Sequence, residues 1–211
     1  MAGKVGIVWD SPTMFTRLVE DSGFLSELVT PHLLAAPFFR RSFSTVIIPG
    51  GFANPSYSSV IHALRACEER IRRFIEGGGT LLAFGAGIDR PDVYDWLPVV
   101  VQYTFGFSEG EPEEHKCHPI SCIIEDCPDT VSYDGVFSFP DQNSDPAPVL
   151  GDTGRKPCPI DGPAVRMCIR GDPVLVEYSA GAGRIILTSL HEYPSRRFLR
   201  DFCRSDGETL L

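Results

Sequence analysis

Residues 70–87 read RIRRFIEGGGTLLAFGAG, and they combine the end of an amphipathic helix, a glycine turn and an apolar strand. The helix is predicted over residues 59–76, because its apolar residues recur every three or four positions along one stripe. The glycines at 77–79 end this helix, and Thr80–Phe84 follow as a short apolar run. A similar run, Thr45–Ile48, precedes the helix. The order strand, helix, strand indicates parallel strands joined by a right-handed crossover.

The N-terminal side extends the same pattern. Residues 5–9 (VGIVW) predict a strand that is covered on both faces. Residues 12–21 predict a helix that Ser11 caps and Gly23 ends. Residues 26–33 are a candidate second strand. This half of the chain therefore predicts a parallel α/β core.

The C-terminal half predicts antiparallel additions to that core. Short strands are expected at 120–125, 131–139, 165–169, 174–178 and 184–189. Asp134-Gly135 interrupts the second of these runs, and residues 195–203 predict a final helix. Residues 140–163 are rich in proline, aspartate and glycine, which is typical of a long surface excursion.

Composition excludes several classes of function. Of the 211 residues, 43% are hydrophobic and 22% are charged, as in ordinary globular proteins. The net charge of −9 argues against nucleic acid or an anionic membrane as the main partner. The first residues, MAGKVGIVW, do not resemble a secretory signal, so a cytoplasmic location is expected, with the seven cysteines as thiols or metal ligands.

Three predicted strand ends carry unusual residues, and ligands of open parallel sheets bind beyond such ends. These ends are Pro49-Gly50-Gly51, Gly85-Ala86-Gly87 and His191-Glu192. Glycines permit tight turns that expose backbone N–H groups, and a nearby histidine is typical of hydrolases that use a nucleophile.

The chain resembles the class I glutamine amidotransferase-like superfamily, nearest to the group related to the N-terminal domain of biotin-protein ligase. The matching pieces occur in the family's order: VIIPGGFANPSY (46–57), RIRRFIEGGGTLLAFGAG (70–87), SYDGVFSF (132–139) and GAGRIILTSLHE (181–192). The resemblance implies one domain over residues 1–211. It also implies a flavodoxin-like three-layer α/β sandwich, with a mostly parallel central sheet and antiparallel hairpin additions in the C-terminal half.

The catalytic residues of that family are not all present. The family's nucleophile is a cysteine flanked by small residues, and the matching position here is Gly85. The family's acid lies two residues beyond the histidine, where this chain has Tyr193, while Glu192 directly follows His191. The resemblance therefore implies a degenerate site at His191 and Glu192 without glutaminase activity.

A ligand-binding role remains open for the strand ends. The candidate binding residues are Gly50, Gly51, Gly85, Ala86 and Asp89, with the N–H groups of the first two and of Ala86 as oxyanion-type donors. Alternatively, the glycines serve only sharp turns and His191 makes a structural hydrogen bond. Asp89 could equally pair with Arg90 or remain in solvent.

A cluster of soft ligands lies between residues 113 and 127. His115, Cys117 and His118 are the candidates for Zn²⁺, although the cysteine spacing matches no recognised metal motif. Cys122 alternates with isoleucines and is expected on the buried face of a strand. We therefore expect no cofactor, with zinc as the alternative.

Three functions are compatible with these patterns. The first is a pseudoenzyme that binds a small molecule or a protein partner, with a homodimer implied by the resemblance. The second is an enzyme of altered hydrolase or transferase chemistry that uses His191 and nearby acids or a metal. The third is an interaction module that recognises its partner through residues 140–163.

Overall fold

A computed structural model describes residues 3–114, 119–124, 128–139, 162–191, 193–204 and 207–211. Its helices are α1 (Met14–Asp21), α2 (Pro31–Ala35), α3 (Val60–Ala66), α4 (Glu68–Glu76) and α5 (Arg196–Phe202), with a 3₁₀ helix at Pro119–Ile123. Its strands are β1 (Lys4–Val8), β2 (Leu25–Val29), β3 (Ser42–Phe43), β4 (Thr45–Ile48), β5 (Thr80–Phe84), β6 (Gln102–Gly110), β7 (Pro112–Glu114), β8 (Val131–Ser138), β9 (Ala164–Ile169), β10 (Asp172–Ala180), β11 (Gly183–Thr188) and β12 (Thr209–Leu210).

One eight-stranded sheet organises the domain, in the order β2-β1-β4-β5-β11-β10-β9-β7. The first five strands are parallel, and β10, β9 and β7 continue the sheet in antiparallel fashion. This confirms the flavodoxin-like sandwich with a mostly parallel sheet and antiparallel additions. The carboxyl ends of β4, β5 and β11 lie side by side, so the three unusual strand ends meet at one edge.

The two faces of the sheet carry separate apolar layers. Ile48 and Leu81 face the cluster that contains Phe74 of α4, whereas Ile47 and Leu82 face the cluster that contains Phe198 of α5. Successive strand residues point to opposite faces, so the nearly continuous apolar runs supply both layers. None of the helices in the described ranges is long and apolar enough to cross a membrane.

Two helix predictions need correction. The helix predicted over 59–76 consists of two helices that meet at Cys67, whose φ and ψ are −121° and 20°. Helix α1 is capped by the Thr13 hydroxyl, which accepts a hydrogen bond from the Phe15 N–H at 3.2 Å, rather than by Ser11.

The strand predicted over 26–33 is also shorter than expected. Strand β2 ends at Val29, and Thr30 then caps α2, which begins at Pro31. A proline at the first helical position loses no helical hydrogen bond, so Thr30-Pro31 starts a helix here instead of extending the strand.

Two C-terminal strand predictions were wrong in detail. The first part of the run at 120–125 forms the 3₁₀ helix, which buries Ile120 and Ile123 at its three-residue repeat and leaves Cys122 partly exposed. Asp134-Gly135 does not interrupt its strand, because β8 continues through both residues. The irregularity lies on the partner strand β6, between Phe105 and Ser108. Most of the excursion predicted at 140–163, residues 140–161, lies outside the described residues.

Candidate functional site

A cleft of about 780 Å³ opens at the carboxyl ends of the parallel strands. It lies where the sequence predicted a binding site. Its lining combines strand ends, the loop after β4 and the ribbon of β6 and β8: Trp9, Thr13, Phe15, Pro49, Gly50, Gly51, Asn54, Tyr57, Phe84, Gly85, Gly87, Phe105, Phe107, Asp134, Leu190, His191 and Tyr193. Gly50, Gly51, Gly85 and His191 are thus brought together.

A short antiparallel bridge carries Asp134 into this cleft. Tyr133 of β8 pairs with Leu190, which follows β11. The Asp134 N–H donates to the Ser189 carbonyl oxygen at 2.9 Å, and the His191 N–H donates to the Ser132 carbonyl oxygen at 2.9 Å. The bridge therefore places Asp134 and His191 beside the end of β5.

The Asp134 carboxyl occupies the space that any side chain at position 85 would need. A β-carbon built on Gly85 would lie 2.8 Å from the Asp134 Cγ, and closer still to its Oδ1. Real β-carbons essentially never approach other atoms this closely. Glycine at this position and aspartate at position 134 are therefore matched to one another.

Tyr103 orients Asp134 from the side opposite the cleft. Its hydroxyl donates to the Asp134 backbone carbonyl at 2.6 Å and lies 3.3 Å from Oδ1. Burial and the nearby Asp134 charge raise the pKa of Tyr103, so the phenol remains a neutral donor. Tyr94 packs edge-on against Tyr103 and donates to the Phe84 carbonyl at 2.9 Å. The two phenols join β6 to the end of β5.

The electrostatic environment of Asp134 differs from that of a surface carboxylate. Burial raises the pKa of Asp134 above its ordinary value, although the Tyr103 hydrogen bond and the charge of His191 act to lower it. Within the described ranges, no lysine or arginine forms an ion pair with it. The carboxyl thus lines the cleft beside His191, without a lysine or arginine partner among the described residues.

The glycine loop after β4 is tied to the end of β5. The Gly51 N–H donates to the Gly85 carbonyl at 2.8 Å, so this expected oxyanion donor is already engaged. The Asn54 side chain donates to the Gly87 carbonyl at 3.0 Å. Ala86 is fully buried and is not among the described residues that line the cleft. Sequence reasoning assigned no role to Asn54, although it lies within the quoted motif at 46–57.

The remaining predicted catalytic residues are placed as follows. The His191 ring packs edge-on against Phe107, with centroids 6.0 Å apart. Tyr193, two residues after His191, packs edge-on against Phe15, with ring centroids 5.3 Å apart. Glu192 lies outside the described residues. His191 therefore shares the cleft with Asp134 and aromatic rings.

Asp89 does not belong to the lining of the cleft. Its side chain is exposed, and the neighbouring Arg90 pairs with Asp92 at 2.6 Å rather than with Asp89. Of the two alternatives for Asp89, the structure agrees with a side chain in solvent and not with pairing to Arg90.

The zinc candidates His115, Cys117 and His118 lie outside the described residues. Within the ranges that are described, no three or more His, Cys, Asp or Glu side chains form a group that could hold a metal ion. Burial raises the pKa of the Cys67 thiol to about 11 and that of Cys203 to about 12, so neither thiol forms a thiolate near neutral pH.

The raised pKa of Asp134 makes a testable prediction about stability. A carboxyl whose pKa is higher in the folded state contributes stability that is lost as pH rises through the folded pKa. The free energy of unfolding of Asp134→Asn, minus that of the wild type, should therefore increase from about pH 4 upward. The increase should be about 1.4 kcal/mol for each unit by which the folded pKa exceeds the unfolded one.

Urea unfolding of both proteins across this pH range measures the difference. Asp172→Asn, which neutralises an exposed carboxylate on β10, is the matched control and should show no such increase. A difference between Asp134→Asn and the wild type that does not change with pH would contradict the prediction.

Comparison with known proteins identifies the fold. No protein-family model matches the chain, and no curated protein matches its sequence. The structure is similar to cytoplasmic protein STM3548 from Salmonella typhimurium (TM-score 0.52, 13% identity, 96% of this chain and 100% of that one). It is also similar to cytoplasmic protein STM1381 from Salmonella typhimurium LT2 (TM-score 0.51, 14% identity, 93% of each chain).

Part of a larger enzyme has the same fold. The chain matches a beta-galactosidase from Rahnella sp. R3 with a TM-score of 0.52 and 12% identity, over 96% of this chain but 30% of the enzyme. At identities this low, the similarity establishes the fold and assigns no activity.

Proposed function

We propose that this chain is an amidotransferase-like pseudoenzyme that binds a small molecule in the cleft at the end of β5 and does not hydrolyse glutamine. The observation that carries the proposal is the position of the Asp134 carboxyl, which fills the space beside Gly85. A cysteine in the family's nucleophile position would require this carboxyl to turn away from its present position. Without a nucleophile there, a covalent thioester intermediate cannot form.

The cleft itself supports a binding role. Its volume of about 780 Å³ lies within the range of small-molecule sites. Tyr57, Phe107 and Tyr193 keep 68%, 63% and 56% of their surfaces exposed along its walls. Apolar surface concentrated around a concave site is typical of ligand recognition.

The enzyme alternative is supported by one electrostatic interaction between two residues that line the cleft. Asp134 and His191 lie close enough for the histidine charge to lower the pKa of the carboxyl, as in an acid–base pair. This reaction would use no covalent intermediate at position 85. A hydrolase or transferase activity that His191→Ala abolishes, while the fold remains intact, would favour it over the binding role.

The proposed absence of glutaminase activity is tested by measuring the release of ammonia from glutamine. We expect wild-type protein and His191→Ala to release ammonia at the same background rate, because the nucleophile is missing. Ammonia release by the wild type that His191→Ala lacks would contradict the proposal.

The binding part is tested by native mass spectrometry of purified protein. We expect a bound mass in the wild type that is lost from a Tyr57→Ala/Phe107→Ala variant of the cleft wall. Phe38→Ala removes an aromatic side chain that is 91% exposed and outside the cleft, so it should retain the mass. Retention by the Tyr57→Ala/Phe107→Ala variant would place the bound molecule elsewhere.

A further inference from the structure

The composition of the cleft also indicates which kind of ligand it binds. Building on the proposed binding function, we propose that the cleft selects a small molecule with a protonated amine on an apolar body. Asp134 is the counter-ion of the amine, and the aromatic side chains form the walls around the apolar body.

The charged side chains of the cleft disfavour an anionic ligand. Among the described residues that line the cleft there is no lysine or arginine, and the titratable groups near its centre are Asp134 and His191. A phosphate or carboxylate ligand would therefore meet a carboxyl group and no permanent cation. The net charge of −9 raises the local concentration of cations around the whole molecule.

Asp134 is half-buried in the cleft, and the charged group beside it is His191. The Asp134 side chain is close to the Tyr103 hydroxyl, but no lysine or arginine in the described ranges pairs with it. Removing a carboxylate from water without a cation is costly, and an ammonium group in the cleft would offset that cost. Such a ligand would also lower the raised pKa of Asp134.

The aromatic side chains that line the cleft also favour an amine on an apolar body. Aromatic faces attract a cation through the ring quadrupole and also cover apolar groups. Trp9 follows β1, Tyr57 follows the glycine loop, and Phe107 lies on the irregular part of β6, so the rings come from three separate segments. A neutral ring such as a sugar would also stack on them, but it would bring no positive charge to Asp134.

Three probes that share one phenyl ring separate these possibilities. Phenethylamine is a cation near neutral pH, 2-phenylethanol is neutral and phenylacetate is an anion. Binding is followed by calorimetry and by the fluorescence of Trp9, with Trp9→Phe identifying the signal from the cleft. We expect phenethylamine to bind at least about 10-fold more tightly than 2-phenylethanol, and phenylacetate to bind more weakly than either.

Matched variants test the role of the carboxylate. Asp134→Asn should reduce the preference for the amine over the alcohol to about 2-fold or less. Asp172→Asn, which also removes one negative charge but lies outside the cleft, should keep the full preference. Phe107→Ala should weaken the binding of both probes, because it removes the wall and leaves the charge.

The outcomes separate this inference from the function on which it rests. Equal binding of amine and alcohol by the wild type would overturn the selection for a cation and leave a small-molecule cleft. Tighter binding of glucose than of phenethylamine would also overturn it, in favour of a neutral sugar. Binding of none of the four probes would count against both the inference and the binding function.

Discussion

Replacing Gly183 with alanine is expected to lower the free energy of unfolding by about 3 kcal/mol or more. Gly183 begins β11, and a β-carbon there would overlap the backbone oxygens of Ile75 and Gly79. It would also lie 3.0 Å from the Ile75 carbonyl carbon. Because these are backbone atoms, no change of rotamer relieves the overlap, and α4 must move away from β11. Urea unfolding of the variant measures the loss.

Gly106→Ala is the matched control for this prediction. A β-carbon on Gly106 meets no atom within 4 Å, so the change in stability should stay within about 1 kcal/mol. Equal stability of Gly183→Ala and the wild type would show that the end of α4 is not packed against β11 as described. The loss expected for Gly183→Ala is large beside the 5–15 kcal/mol that is typical of whole domains.

The parallel core could be predicted from sequence because its signals are local. Thr45–Ile48 and Thr80–Phe84 are apolar throughout, and both match the observed strands. The parallel order then places their carboxyl ends at one edge, so the location of the cleft followed from the strand ends alone. Gly51 and Gly85 both lie at these strand ends, and both line the cleft.

The residue that defines the cleft was missed for a physical reason. Asp134-Gly135 is a common turn sequence, so local propensity predicted an interruption of the strand. The structure keeps both residues in β8, because pairing with β6 and the bridge to Leu190 outweigh the local preference. Gly85 indicated only that a side chain was absent. The Asp134 carboxyl fills the space beside Gly85, and these two residues are 49 positions apart in the chain. Neither the motif around Gly85 nor the motif around Asp134 predicts this contact by itself.

Cysteine introduced at position 85 is expected not to confer glutaminase activity, if the proposed pseudoenzyme function holds. Its β-carbon requires the space of the Asp134 carboxyl, which must turn away from the Tyr103 hydroxyl, so Gly85→Cys should be about 1–2 kcal/mol less stable than the wild type. Ammonia release from glutamine should remain at background. The Gly51 N–H already donates to the Gly85 carbonyl, and Tyr193 stands at the position where the resemblance implies an acid.

A double-mutant cycle isolates the contact responsible for that loss. If the Asp134 carboxyl is the obstacle, Gly85→Cys/Asp134→Ala should be more stable than the sum of the single changes predicts, by about 1–2 kcal/mol. Urea unfolding of the four proteins gives this coupling energy. Additive losses would mean that the cysteine is accommodated without displacing Asp134, and would contradict the matching of Gly85 and Asp134. A positive coupling energy would mean instead that a cysteine side chain at position 85 and the Asp134 carboxyl compete for the same space. Aspartate at position 134 would then favour glycine at position 85.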